Sequence, residues 1–224
     1  MTALPPEAWE ALALSLRVSL VATLAATPIA VGVAHLLARG RFPGRALLEA
    51  AVHLPLVLPP VVTGYALLLL FAPSAPLGAL VPVAFRWTGA ALAAGVMAFP
   101  LIVRPIRLSL EAVDPGLEEA AATLGRTRWG TWRAVTLPLI APGLLAGVTL
   151  GFAKAMGEFG ATITFVASIP GETRTLPAAI YAFLQVPGGE GAARALVLVA
   201  VAVSVAALLL SDVVARRLAR RLDP

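Results

Sequence analysis

The sequence predicts an all-α membrane protein with five transmembrane helices, and three observations carry that prediction. Of its 224 residues, 59% are hydrophobic and only 13% charged, whereas a soluble domain carries about 25% charged and roughly 45–50% apolar residues. Mean hydropathy is +0.91. The remaining charges cluster between long uncharged stretches. These features exclude a disordered chain and most water-soluble folds. The absence of cysteine excludes disulfides, thiolate metal sites and a cysteine nucleophile.

Five uncharged stretches follow one another: 18–38, 50–85 (apolar throughout 50–71), 87–103, 134–153 and 195–211. A helix rising 1.5 Å per residue needs roughly 17–25 residues to cross a hydrocarbon core about 30 Å thick. With their ends added, the spans cover about 12–38, 48–71, 87–107, 135–157 and 193–214 of a single permease-like domain, 1–224. Stretches 159–171 and 175–189 are short and broken by Pro170, Pro177 and Pro187, so 158–191 is expected not to cross. In the second span Pro55, Pro59 and Pro60 break or kink the helix. Such breaks are tolerated where the backbone faces protein or a water-filled cavity, which places this span beside a pathway. Ala90, Ala94 and Ala98 recur every fourth residue in the third span, and Gly143, Gly147 and Gly151 in the fourth. Each set is a surface for close helix packing, either between subunits or within one.

Orientation follows from the basic residues. The 39–45 connection, the 104–133 connection and the tail (Arg216, Arg217, Arg220, Arg221) hold twelve of the seventeen. By the positive-inside rule these face the cytoplasm, with the N-terminus outside and the C-terminus inside. The five other basic residues, Arg17, Arg86, Lys154, Arg174 and Arg194, are matched outside by five acids. The net charge of +5 is therefore an orientation signal and gives no reason to invoke nucleic acid. The N-terminus has neither the basic start nor the small-residue cleavage site of a signal peptide.

The 104–133 connection is long and of mixed polarity. Asp114-Pro115 supplies an N-cap and a first-turn proline. Leu117, Ala121 and Leu124 share one face, and Gly125 stands where a glycine ends a helix. A second short helix over 127–135 presents Trp129 and Trp132 on neighbouring faces. The pattern alone fits a hairpin resting on lipid headgroups or a docking element for a cytoplasmic partner.

Glu119-Ala120-Ala121, then Gly125, then Val135-Thr136-Leu137-Pro138 resembles the EAA signature of ABC importer permeases, with Val135 where isoleucine is usual. The resemblance implies the type I (MetI-like) permease fold. It also implies that Glu118, Glu119, Ala120, Ala121, Gly125, Leu137 and Pro138 belong to the surface that couples to the ATPase, with the cytoplasmic loop at about 108–134. The segment from His53 through Thr63, Gly64 and Tyr65, and the runs 157–165 and 169–175, look like those of molybdate permeases. Sulfate and thiosulfate permeases share the Gly-Glu-Phe-Gly-Ala run, and tungstate is an equally eligible oxyanion. Some members have an additional N-terminal span, for which this chain begins too late. The implied assembly is a homodimer in the bacterial inner membrane, with a cytoplasmic ATPase dimer and a periplasmic or extracellular oxyanion-binding protein. ATP and Mg would bind the ATPase, leaving this chain no cofactor and no catalysis.

The remaining polar residues fit that reading. No G-x4-G-K-[ST] loop occurs, so ATP hydrolysis by that route lies elsewhere. Lys154 and Glu158, at i, i+4 near the outer end of the fourth span, are either a helix-end ion pair or part of an anion path. Thr162 and Thr164 offer hydroxyls just beyond, and with Thr63 complete a candidate substrate pathway. His35 and His53, without a carboxylate cluster, read as packing or interfacial residues and not as metal ligands. An ion-coupled secondary transporter would want intramembrane carboxylates and internal repeats. An intramembrane hydrolase would want a serine–histidine constellation. Neither pattern is present.

Overall fold

The computed structural model describes residues 5–222, with side chains of the last helix described through Leu209 and at Val213. Arg216, Arg217, Arg220 and Arg221 therefore lie outside the described side chains. Among the described residues there are eleven α-helices, one π-helical turn and no strand. Four helices are long and apolar enough to cross a membrane, and a bent pair gives a fifth span if counted as one.

α1 (Pro6–Arg39) starts earlier than the hydropathy suggests, because Pro6 fits its first turn and Glu7 favours the N-terminal end of the helix dipole. α2 (Arg45–Val57) and α3 (Pro60–Phe71) form the bent pair, turning by 115°. Pro59 holds Leu58 in an extended conformation (φ −72°, ψ 143°), and Pro60 then opens α3. The prolines thus divide the second span into two helices. A short helix, α4 (Pro76–Leu80), precedes α5 (Trp87–Ala112).

α5 is the centre of the bundle. Its Ala90, Ala94 and Ala98 are buried in one core with Ala22, Ala26 and Ala30 of α1. On its other side lies α8 (Leu137–Met156), whose glycine stripe is buried. A Cβ on Gly147 would sit 2.7 Å from the Ile102 carbonyl oxygen, and one on Gly143 2.7 Å from that of Pro105. The stripe is therefore used within one subunit, to bring α5 and α8 close together.

Beyond α8 the chain stays at the end where α1 begins. α9 (Gly160–Val166) packs on α3, and α10 (Leu176–Leu184) is fastened to α1 by the Leu176 N–H, which donates to Ser15 Oγ at 2.6 Å. Thr173 closes the intervening turn by donating to the Val166 carbonyl at 3.1 Å and accepting from the Ile169 N–H at 2.9 Å. α11 (Glu190–Leu222) then runs back along the bundle. Only Ala193 and Leu196 are buried among its described side chains, so nearly all its length is left for lipid or another subunit.

Replacing Gly147 by valine should lower stability by about 1–3 kcal/mol, because the added carbons meet backbone that cannot rotate away. Gly191→Ala, where a Cβ meets nothing within 4 Å, should leave it unchanged. Thermal unfolding of the two variants in detergent checks this.

Candidate functional site

The loop between α5 and α8 projects from one end of the bundle. Its first helix, α6 (Pro115–Thr123), is capped by Asp114, whose Oδ1 accepts the Gly116 N–H at 2.9 Å. Gly125, at φ +81°, takes the left-handed conformation that ends it. None of its nine residues is buried. Glu119 and Ala120 are exposed, Ala121 is half-buried, and Leu117 and Leu124 are 48% and 85% exposed. An amphipathic helix with no apolar neighbour in its own chain is a surface for something else.

What holds α6 out is polar. Glu118 Oε1 accepts the Thr136 hydroxyl at 2.6 Å, while Oε2 lies 3.6 Å from the Arg39 guanidinium. Arg39 also donates to the Val113 carbonyl at 3.0 Å. One carboxylate thus ties α6 to the end of α1 and to the start of α8. The neighbouring carboxylates divide their work: Glu118 faces its own chain, and Glu119 faces outward. At the same end Arg107 bridges Glu49 at 2.6 Å and Glu111 at 2.7 Å, joining α5 to α2.

The second loop helix differs from the expected single helix over 127–135. α7 (Arg128–Thr131) is one turn, capped by the Thr127 hydroxyl, and continues as a π-helical turn, Trp132–Thr136. The rings of Trp129 and Trp132 stack with centroids 5.1 Å apart and planes within 6°, since residues three apart on a helix are neighbours. Leu137 and Pro138 are half-buried at the start of α8. Between the loop and α1 lies a cleft of about 800 Å³, reaching from His35 and Gly32 to Glu119, Arg126 and Trp129. His53 is half-buried, its Nδ1 2.8 Å from the Glu49 carbonyl.

At the opposite end the structure gathers the other candidate residues around two helix breaks. Glu158, 2% exposed, places Oε2 2.7 Å from Lys154 Nζ, and its Oε1 accepts the Ala161 N–H at 3.0 Å. It is thus both an ion-pair partner and the cap of α9. The Thr164 hydroxyl donates to the Gly160 carbonyl at 2.9 Å, and that of Thr162 reaches the Glu158 carbonyl at 3.5 Å. α9 and α3 touch backbone to backbone, with Gly64 against Ala161 and Gly160 against Pro60. Thr63 and Thr162, both buried, therefore belong to one packed pair, and Thr63 Oγ1 has no hydrogen-bond partner. Neither of the two large described clefts includes Thr63, Lys154, Glu158, Thr162 or Thr164.

The sequence reading missed Arg39, Arg107 and Thr136. The Arg107–Glu111 spacing of four was a usable signal. The pairing of Arg39 with Glu118 joins elements far apart in the chain, and local pattern does not show it.

Glu158→Gln should retain an acceptor for the Ala161 N–H and lose only the ionic partner of Lys154. Glu158→Ala should lose both, orphan a buried donor and cost about 1–3 kcal/mol. Thermal unfolding should rank alanine below glutamine and both below the unmodified protein.

A family profile described as binding-protein-dependent transport system inner membrane component matches residues 26–224. The molybdenum transport system permease protein ModB of Escherichia coli K12 is 51% identical over 214 residues, 93% of each chain. ModB of Haemophilus influenzae is 48% identical over 218 residues, 95% of each. The sulfate transport system permease protein CysT of Escherichia coli K12 is 40% identical over 158 residues, 68% of this chain and 57% of that one. Among solved structures, the inward-facing MetNI methionine ABC transporter superposes with a TM-score of 0.71 at 18% identity, over 94% of each chain. A bacterial importer of alginate gives 0.75 at 18%, over 95% of this chain and 80% of that one. With its helical bundle and projecting loop, the chain belongs to the family of binding-protein-dependent transport system inner membrane components: it is a multi-pass inner-membrane permease subunit of an ABC transporter.

Proposed function

We propose that this permease carries molybdate into the cell as a homodimer, driven by a separate pair of cytoplasmic ATPase subunits and supplied by an oxyanion-binding protein on the outer side. The observation that carries the reading is the 51% identity to a molybdenum transport permease across 93% of both chains. The sulfate permease is a weaker parallel, matched over only 57% of its length. Tungstate, a close chemical analogue of molybdate, would be sorted from it by the binding protein. ATP and Mg belong to the ATPase, and this chain contributes binding surfaces and movement without covalent chemistry.

The loop end faces the cytoplasm in this reading, because Arg39, Arg41, Arg45, Arg104, Arg107, Arg126, Arg128 and Arg133 gather there. The N-terminus is then outside and the C-terminus cytoplasmic. α6 enters the ATPase with Glu119, Ala120, Ala121 and Gly125 at the contact. Glu118 keeps the helix joined to α1 and, through Thr136, to the π turn that leads into Leu137 and Pro138. When the ATPase pair closes on ATP, displacement of α6 reaches α1 and α8 through these bonds, and the spans change their tilt. The route for the anion passes the paired breaks of α3 and α9, flanked by Thr63, Thr162 and Thr164, with Lys154 and Glu158 at its outer mouth. Hydroxyls and backbone N–H groups hold an oxyanion weakly enough to release it, as a conducting path requires.

The test is reconstitution with the ATPase and binding protein in vesicles. Glu119→Arg combined with Gly125→Pro should abolish both stimulated ATP hydrolysis and molybdate uptake, and the surface change Leu124→Asp should reduce both. Unimpaired stimulation in both variants would refute the coupling assignment. Uptake competed by sulfate as strongly as by molybdate would refute the substrate assignment.

A further inference from the structure

Near the end where α1 and α5 both begin, a groove of about 650 Å³ opens between α1, α5 and α2. Thr88 is its only polar side chain, and its small residues, Ala22, Ala25, Ala91 and Gly95, leave a channel instead of a packed seam. On α1 it extends from Val21 to Val33, about 18 Å at 1.5 Å per residue. That is close to the depth of one leaflet, about 15 Å of a 30 Å hydrocarbon core.

The charges at its mouth specify what would fill it. One turn before Val21, the Arg17 guanidinium lies over the Trp87 ring, its carbon 3.7 Å from the ring centroid. Arg86 stands beside Trp87. Both arginines are exposed, and neither forms an ion pair among the described residues. The nearby carboxylate of Glu172 accepts the Trp87 backbone N–H at 3.4 Å. Two unneutralised guanidiniums and a tryptophan thus stand at interface level above a dry groove of acyl-chain length.

We propose that this groove is a binding site for one anionic phospholipid, its phosphate at Arg17 and Arg86 and one acyl chain lying between α1 and α5. A second copy of the chain is a poorer occupant, since it would leave both guanidiniums without an anion. A bound lipid would brace α1 against α5 and replace the protein–protein packing that the small residues omit.

Native mass spectrometry of the full-length chain in detergent, titrated with phosphatidylglycerol and separately with phosphatidylcholine, tests this. One phosphatidylglycerol per chain should be retained in preference to phosphatidylcholine. Arg17→Gln with Arg86→Gln should weaken retention about tenfold, and Ala25→Phe, which fills the groove, should do the same. Leu198→Phe, on the exposed face of α11, should not. Equal retention by all variants, or by both lipids, would overturn the proposal. So would efficient disulfide cross-linking of two Ala25→Cys chains, which would place a second copy in the groove. The arginine variants alter exposed side chains only, so the test does not depend on how Ala25→Phe folds.

Discussion

Hydrocarbon supplies no hydrogen bonds, so every interruption of a helix inside the bilayer must be answered by the protein itself. Two interruptions stand at the centre of this chain, at Leu58-Pro59 and at Gly157–Phe159, and they are packed against each other. Proline removes the need for a donor at the first. At the second the buried Glu158 carboxylate accepts the Ala161 N–H, with Lys154 as its counter-charge. Glycines at 64 and 160 let the two backbones approach. The same requirement explains why the rest of the membrane-embedded structure is long, uninterrupted helix held by alanine and glycine contacts around α5.

The opposite end is governed by a different balance. In water, a nine-residue helix with no buried side chain is not stable alone. α6 persists because its ends are fixed, by Asp114 and Gly125, and because Glu118 binds it to Arg39 and Thr136. Its apolar side chains remain available to a partner while its position is set by the bundle. A displacement applied there is handed first to the end of α1 and to the π-helical turn entering α8. Both of those helices flank α5, whose small residues give the bundle its closest contacts.

Much of this was legible in the sequence. Composition and charge spacing disclosed the spans, Pro59-Pro60 the break in the second, and Asp114-Pro115 with Gly125 the limits of α6, because each of these is a local consequence of local chemistry. The division between Glu118 and Glu119 was not legible, since it depends on Arg39, which only the fold brings near. The glycine stripe of α8 left its partner open for a similar reason: small residues every four positions serve packing within a chain as well as between chains. Glu158 as a cap, distinct from a helix-end ion pair, required knowing that α9 begins immediately after it. The early start of α1 was available in Pro6 and Glu7 but was outweighed by hydropathy, which registers the membrane and not the helix.

If α6 passes motion from the ATPase to the helix breaks, the separation between them must depend on nucleotide. The chain contains no cysteine, so nitroxide labels at Leu117→Cys on α6 and Val61→Cys on α3 report that separation within one subunit by pulsed electron resonance, once labelled chains are diluted with unlabelled ones. The distance distribution is expected to shift when the bound ATPase receives a non-hydrolysable ATP analogue. An unchanged distribution in a sample whose ATPase is shown to be bound and closed would contradict coupling through this loop.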